Sequence, residues 1–117
     1  KIEGLNFDAR KHILEYDDVL NFQRETFYER RRKILTEETD EKIRSLKLQV
    51  FDMFWVDHLE MMDYLRSSVN LRAYGQRDPL VEYKKEGLKL FKEMEENMEN
   101  TIVENMKKLE EFGDISN

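Results

Sequence analysis

Apolar side chains recur every seven residues through the first third of the chain. The repeat consists of Ile13, Leu20, Phe27 and Ile34. Because seven residues span about two turns of an α-helix, these positions share one face. No glycine or proline interrupts residues 6–35. The pattern predicts one continuous helix, about 40–45 Å long, within a first segment of residues 1–35.

A polar stretch, residues 36–45, follows this helix. Thr36 and Thr39 are candidate caps for a new helix, since a short hydroxyl side chain accepts hydrogen bonds from free backbone N–H groups. We therefore predict a short break near residues 35–40 and a second helix from about residue 41 to residue 71. Its apolar face is formed by Ile43, Leu46, Val50, Phe54, Met61, Leu65 and Val69.

The helical pattern breaks again at residues 70–79, which contain the only proline of the chain. Asp78 suits an N-cap and Pro79 suits the first helical position, where its missing N–H has no partner to lose. A third helix is therefore predicted from Pro79, with Gly113 as its C-cap. Its apolar stripe consists of Leu80, Phe91, Met94, Met98, Ile102, Met106 and Leu109.

Helices joined by a short loop pack antiparallel, so residues 46–112 should form a two-helix hairpin with its tip at residues 70–79. That pairing places Leu65 near Tyr83 or Gly87, and Gly87 would allow close packing. The predicted fold is all-α and elongated: one long helix plus an antiparallel hairpin, a three-helix arrangement in a single domain of residues 1–117.

Composition narrows the function classes. Charged residues make up 39% of the 117 residues and the net charge is −6, which disfavours nucleic acid as a partner. The absence of cysteine excludes disulfides and thiolate metal sites. No apolar run approaches the roughly 20 residues of a membrane span, and the N-terminal residues show no signal-peptide core.

Residues for metal or nucleotide chemistry are sparse. Neither His12 nor His58 follows a glutamate by three residues, as paired di-metal bundles require, and His58 is better explained as a hydrogen-bonded packing residue. No glycine-rich phosphate loop is present, so this chain alone is not predicted to be an enzyme or to bind a cofactor. The adjacent carboxylates of Asp17 and Asp18 could bind magnesium, but a role on the helix surface or in a contact with a partner is favoured.

A basic run at residues 30–33 invites a nucleic-acid interpretation. It lies near the end of the first predicted helix, where cations complement the helix dipole, and Glu29 can pair with Lys33 one turn away. A structural role is therefore favoured.

The predicted tip is unusual in its charge. Residues 66–77 contain three arginines and no acid, whereas residues 93–111 contain seven acids and two lysines. Tyr74 lies between the arginines. It could fold back onto the hairpin, or it could touch a variable polypeptide, because tyrosine offers a large contact area at low entropic cost. The residues alone leave both interpretations open.

Several blocks of sequence resemble the SecA family of bacterial preprotein translocase ATPases. They are NFDARK at 6–11, LEYDDV at 14–19, QR at 23–24, WVDHL at 55–59, MDYLR at 62–66, LRAYGQRDP at 71–79 and EY at 82–83. The resemblance covers residues 1 to about 35 and about 46 to 109. The family's motor domains and preprotein cross-linking domain have no counterpart here, and residues 36–45 stand where the helical wing would be. The chain is expected to be either an excised form with a shortened wing or a segment of a larger chain.

The resemblance implies specific roles for several residues. The first helix would be a scaffold for the motor domains, with contacts at Asp17, Asp18 and Arg24. The hairpin would be the two-helix finger that enters the membrane translocation channel, the SecY complex. The implied contacts with channel or preprotein are Leu71, Arg72, Tyr74, Gln76 and Arg77. ATP and magnesium would belong to the full-length protein, which would be cytoplasmic and peripheral at the inner face of the plasma membrane.

Two further hypotheses remain at this point. The chain could be a free-standing helical adaptor that binds a partner helix through a Met-rich groove, because methionine adapts to varied surfaces. It could instead bind membranes peripherally through its cationic tip. Long apolar stripes also predict self-association, with the first helix packing against the hairpin or against a second copy.

Overall fold

The computed structural model describes the backbone of residues 2–72 and 78–116 and the side chains of residues 13–71 and 78–112. The described residues form three α-helices and no strand. They are α1 (Ile2–Glu37), α2 (Glu41–Arg72) and α3 (Pro79–Ser116). The all-α prediction is therefore confirmed.

The connection between α1 and α2 is shorter than the polar stretch predicts. Between α1 and α2, only residues 38–40 are non-helical. Asp40 caps α2, because its Oδ1 accepts hydrogen bonds from the backbone N–H groups of Lys42 (2.9 Å) and Ile43 (3.2 Å). The prediction of a threonine cap is wrong. Thr36 is still within α1, where its hydroxyl donates to the carbonyl of Arg32.

The start of α3 follows the prediction. The backbone N–H of Leu80 donates to Asp78 Oδ1 at 3.0 Å, and the N–H of Glu82 donates to the Asp78 carbonyl at 3.2 Å. Asp78 is therefore the N-cap ahead of Pro79. The far end differs, because α3 continues through Gly113 to Ser116. Glycine lowers helix stability by about 1 kcal/mol without forbidding the helix, so its presence did not mark the end.

The three helices form a rod of 73 × 27 × 15 Å. The hairpin of α2 and α3 has the most extensive interface, and α1 packs along it. α1 runs antiparallel to α2, because Asp17 contacts Arg66 whereas Arg31, further along α1, contacts the earlier residue Asp52. Since Tyr16 packs on Tyr83, and Arg30 further along α1 pairs with Glu99, α1 runs parallel to α3.

The core consists of two clusters along the rod. Both contain residues from all three helices, so α1 completes the core of the hairpin within one chain. The first is Phe27, Val50, Phe51, Trp55, Phe91, Met94, Met98 and Ile102. The second, nearer the tip, is Tyr16, Met62, Leu65, Val69, Leu80 and Tyr83. The predicted neighbours Leu65 and Tyr83 share the second cluster.

Candidate functional site

The end of the hairpin is the site that sequence reasoning singles out. Leu71, in the last turn of α2, is 80% exposed, two residues after the buried Val69. Leu80 is buried on the α3 side of the tip. The structure therefore shows a packed hairpin stem with an exposed apolar residue at its end.

The other residues expected to contact a polypeptide are not placed by the structure. Tyr74, Gln76 and Arg77 lie outside the described residues, as does the side chain of Arg72.

A cluster of aromatic and charged side chains lies just below the tip. The rings of Tyr16 and Tyr83 are 5.0 Å apart, and the Arg66 guanidinium lies 4.9 Å from the centre of the Tyr16 ring. Burial raises the pKa of the Tyr16 phenol, and the nearby Asp78 carboxylate raises it further. Burial also raises the pKa of the Tyr83 phenol, so both phenols are protonated and neutral at physiological pH. The cluster joins all three helices at the base of the tip.

The expected motor-domain contacts on α1 have different surroundings within the chain. Asp17 Oδ1 lies 3.4 Å from Arg66 Nη1 of α2. Arg24 is exposed and donates to Asn21 Oδ1 of its own helix. Asp18 lines the groove between α1 and α3. Of the three residues, Asp17 therefore already has a partner on another helix of the chain.

A buried polar bridge joins the three helices midway along the rod. The Gln23 amide Nε2 donates to the carbonyl oxygen of Gly87 at 3.0 Å, and Gln23 Oε1 lies 2.6 Å from His58 Nε2. Gln23 is 3% exposed and His58 is 2% exposed. Because Gln23 Oε1 can only accept, His58 Nε2 carries the proton and donates it. Burial lowers the pKa of His58 to about 4, so the imidazole is neutral at physiological pH.

The bridge confirms the interpretation of His58 as a hydrogen-bonded packing residue. The sequence places Gln23 in the QR block at 23–24 of the family resemblance but predicts no role for its side chain. The available signal was its position seven residues after Tyr16, which places a polar amide on the otherwise apolar face of α1.

The basic run of α1 is held within the chain. Arg30 pairs with Glu95 and, at 2.8 Å, with Glu99 of α3. Arg31 forms two hydrogen bonds with Asp52 of α2, at 2.9 and 3.1 Å. These ion pairs give the basic run a structural role, which was favoured over nucleic-acid binding. The expected cause was the dipole at the end of the helix, but α1 continues past the run to Glu37. The observed cause is the pairing with carboxylates of α2 and α3.

The predicted pair of Glu29 with Lys33 is wrong. Glu29 accepts from Arg32 instead, at 3.0 Å and three residues away. Either neighbour is within reach of Glu29 on the same helix face, and the branched guanidinium is the one that contacts it.

The family model for the SecA wing and scaffold domain matches residues 1–46 and 38–110. This chain belongs to the SecA family. The relatives that this chain matches include proteins named protein translocase subunit SecA. Those from Heliobacterium modesticaldum and Pelotomaculum thermopropionicum are 31% and 29% identical, over 80% and 88% of this chain and 21% of each relative. The relative from Halothermothrix orenii is 28% identical over 94% of this chain and 23% of its own length. The chain therefore spans about a fifth of the relatives that it matches.

The SecA comparison also shows a difference in length. The alignment with the Heliobacterium relative is 178 residues long, which exceeds the 117 residues of this chain, so that relative carries residues with no counterpart here. The two segments matched by the family model meet at residues 38–46. That range contains the turn at residues 38–40, stabilised by a 2.9 Å ion pair between Glu38 and Lys47.

The methionines do not form the groove required by the adaptor alternative. Met62, Met94 and Met98 are buried in the core. An open groove of about 810 Å³ between α2 and α3 is lined by only one methionine, Met61, together with Tyr64. The packing and the SecA family membership both disfavour the adaptor alternative.

Two further properties bear on the class of site. Among the side chains that the structure describes, no three His, Cys, Asp or Glu residues are grouped so that they could hold a metal ion. None of the three helices, over its described residues, has a stretch long and apolar enough to cross a membrane.

Proposed function

We propose that this chain acts as the scaffold and polypeptide-contacting part of a SecA-type preprotein translocase motor. The observation that carries the proposal is the packed hairpin with an exposed end, in a chain of the SecA family. The long α1 would support the motor domains, and the hairpin would reach the translocating polypeptide.

The contact with the polypeptide would be made by the tip. Leu71, Arg72, Tyr74, Gln76 and Arg77 would provide apolar, aromatic and cationic groups in one short segment. A translocase must hold many different sequences, which suits a tyrosine and an exposed leucine better than a precise polar pocket. The rigid stem behind the tip supports this role, because Val69 and Leu80 are buried on its two sides.

The partners follow from that role. The preprotein and the SecY membrane channel would meet the tip, and the motor domains of the full-length protein would meet α1 at Asp18 and Arg24, which are exposed. Asp17 would have to exchange its contact with Arg66 to join them. ATP and magnesium would be bound by the motor domains, and the location would be cytoplasmic and peripheral at the inner face of the plasma membrane.

The turn at residues 38–40 would take the place of the helical wing. Its support is the capping of α2 by Asp40 and the pairing of Glu38 with Lys47, which join the two helices directly. The scaffold helix and the hairpin would then be continuous without a wing.

The test is the transport activity of a full-length translocase that contains this segment. Tyr74→Ala should lower the rate of preprotein transport by at least tenfold and leave the melting temperature of the 117-residue chain unchanged. Tyr64→Ala is the matched control, because Tyr64 is 77% exposed on α2 and lies away from the tip. Equal loss of transport in both variants, or a large fall in melting temperature for Tyr74→Ala, would contradict the proposed role.

A further inference from the structure

The apolar face of α1 does not by itself define the position of α1 along the axis of the hairpin, which is called its height below. Leu20, Phe27 and Ile34 repeat every seven residues and all pack into the core. A slide of α1 by one repeat, about 10 Å along its axis, would again place apolar side chains opposite apolar positions. Other contacts must therefore select the observed register.

The polar bridge at Gln23 is specific to one register. The positions one repeat away are occupied by Tyr16 and Arg30. Arginine has no acceptor for the proton of His58, and the phenol oxygen of tyrosine sits at the end of a longer, rigid ring. Gln23 alone among the three combines a donor for Gly87 with an acceptor for His58 on one short amide.

We propose that the bridge from Gln23 to His58 and Gly87 is a register lock that holds the hairpin at one height along α1. A slide by seven residues would leave the His58 N–H without its acceptor in an apolar interior, and the Gly87 carbonyl, which also accepts the helical hydrogen bond within α3, would lose its second donor. A buried donor without a hydrogen bond costs roughly 1–3 kcal/mol, so the slid arrangement is disfavoured. A single buried polar residue that specifies register is an established device in helical assemblies.

The ion pairs of α1 are weaker candidates for this role. Asp52 and Glu99, which pair with Arg31 and Arg30, have more than half of their side-chain surface exposed to solvent, and Glu95, the other partner of Arg30, is 27% exposed. Water solvates exposed charges when such pairs separate, so breaking these ion pairs costs little free energy. They therefore add little to the difference in free energy between the observed register and a slid one. The turn at residues 38–40 tethers α1 to α2 and limits how far α1 can move. Within that limit, the buried amide bridge is the contact that selects the position of the hairpin along α1, and with it the position of the tip relative to the N-terminal end of α1.

The inference concerns the geometry of this chain and does not rest on the proposed function. The test is a distance measurement on the 117-residue chain by pulsed electron paramagnetic resonance. Spin labels are attached at Glu25→Cys of α1 and Asn100→Cys of α3, both exposed, and the chain has no other cysteine. We expect one narrow distance with Gln23 in place. Gln23→Met, which keeps the length of the side chain and removes its hydrogen bonds, should add a second distance shifted by several ångströms.

Two further variants keep the test decisive. His58→Phe retains an aromatic ring and removes one of the two hydrogen bonds, so it should add a smaller second population. Leu20→Ala weakens apolar packing on the same helix but leaves the bridge intact, so it should keep a single distance despite a lower melting temperature. A single distance in both bridge variants, or an equally broad distribution in Leu20→Ala, would overturn the register lock.

Discussion

Met62 of α2 occupies the space that a side chain at Gly87 of α3 would need. A Cβ atom at Gly87 would lie 2.9 Å from Met62 Cε and 3.4 Å from Met62 Sδ. The close packing expected at this glycine is therefore present, and it brings the Gly87 carbonyl within reach of Gln23.

Gly87→Ala should change the free energy of unfolding by less than about 1 kcal/mol. The added methyl group displaces only the flexible end of Met62, and alanine recovers about 1 kcal/mol of helix propensity. Gly87→Val should destabilise by roughly 1–3 kcal/mol, because branching at Cβ overfills the site. Urea unfolding followed by circular dichroism measures both, and an equally large loss for alanine would show that Met62 cannot move.

Phe27→Ala should destabilise the chain by about 3–5 kcal/mol. Phe27 is fully buried and its ring stacks on Trp55, with centroids 4.6 Å apart and an interplanar angle of 11°. The matched control is Phe22→Ala on the same helix, where the ring is 66% exposed and the expected change is within about 0.5 kcal/mol. Similar losses for the two variants would contradict the packing of α1 on the hairpin.

Acid should weaken the fold through His58. Its pKa is about 4 when folded, against 6.5 for the unperturbed side chain, so the unfolded chain binds more protons between these values. The contribution of neutral His58 to the free energy of unfolding is fully present above about pH 6.5. It is lost as the pH falls through the folded pKa near 4, and the total loss is about 3 kcal/mol. His58→Phe should remove this part of the pH dependence, measured as the difference between two urea-unfolding series. An unchanged dependence would show that the pKa of His58 is the same in the folded and the unfolded chain.

The caps of α2 offer a comparison between two neighbouring residues. Asp40→Ala should cost about 1 kcal/mol, because two backbone N–H groups lose their acceptor. Thr39→Ala should change stability by less than about 0.5 kcal/mol, since Asp40 and not Thr39 caps the helix. Thermal unfolding of the two variants measures both losses. A larger loss for Thr39→Ala than for Asp40→Ala would show that Thr39 caps the helix.

Self-association remains a prediction. Large apolar side chains such as Leu14 and Phe22 are exposed on α1 even though α1 packs on the hairpin. Light scattering should therefore show a mass that rises with concentration, and Phe22→Lys should reduce the rise. Ser45→Lys adds the same charge at an exposed polar position and should leave it unchanged. A constant monomer mass at all concentrations would contradict the prediction.

The sequence by itself determined the three helices and the start of the third. The seven-residue repeat from Ile13 to Ile34 and the Asp78–Pro79 pair are local signals, because helix periodicity and capping depend on residues within one or two turns. Local signals are weaker at the ends of helices. Gly113 was predicted as the C-cap of the third helix, but its lower helix propensity did not end α3, which continues to Ser116.

Only the tertiary structure decided how α1 sits on the hairpin. Gln23, His58 and Gly87 are brought together from three helices, and Arg30 and Arg31 find their partners on α3 and α2. No local pattern predicts such partners, because each depends on the relative height and rotation of helices that are distant in sequence. The repeat on α1 is compatible with more than one height, and the buried hydrogen bonds of Gln23 exist in only one.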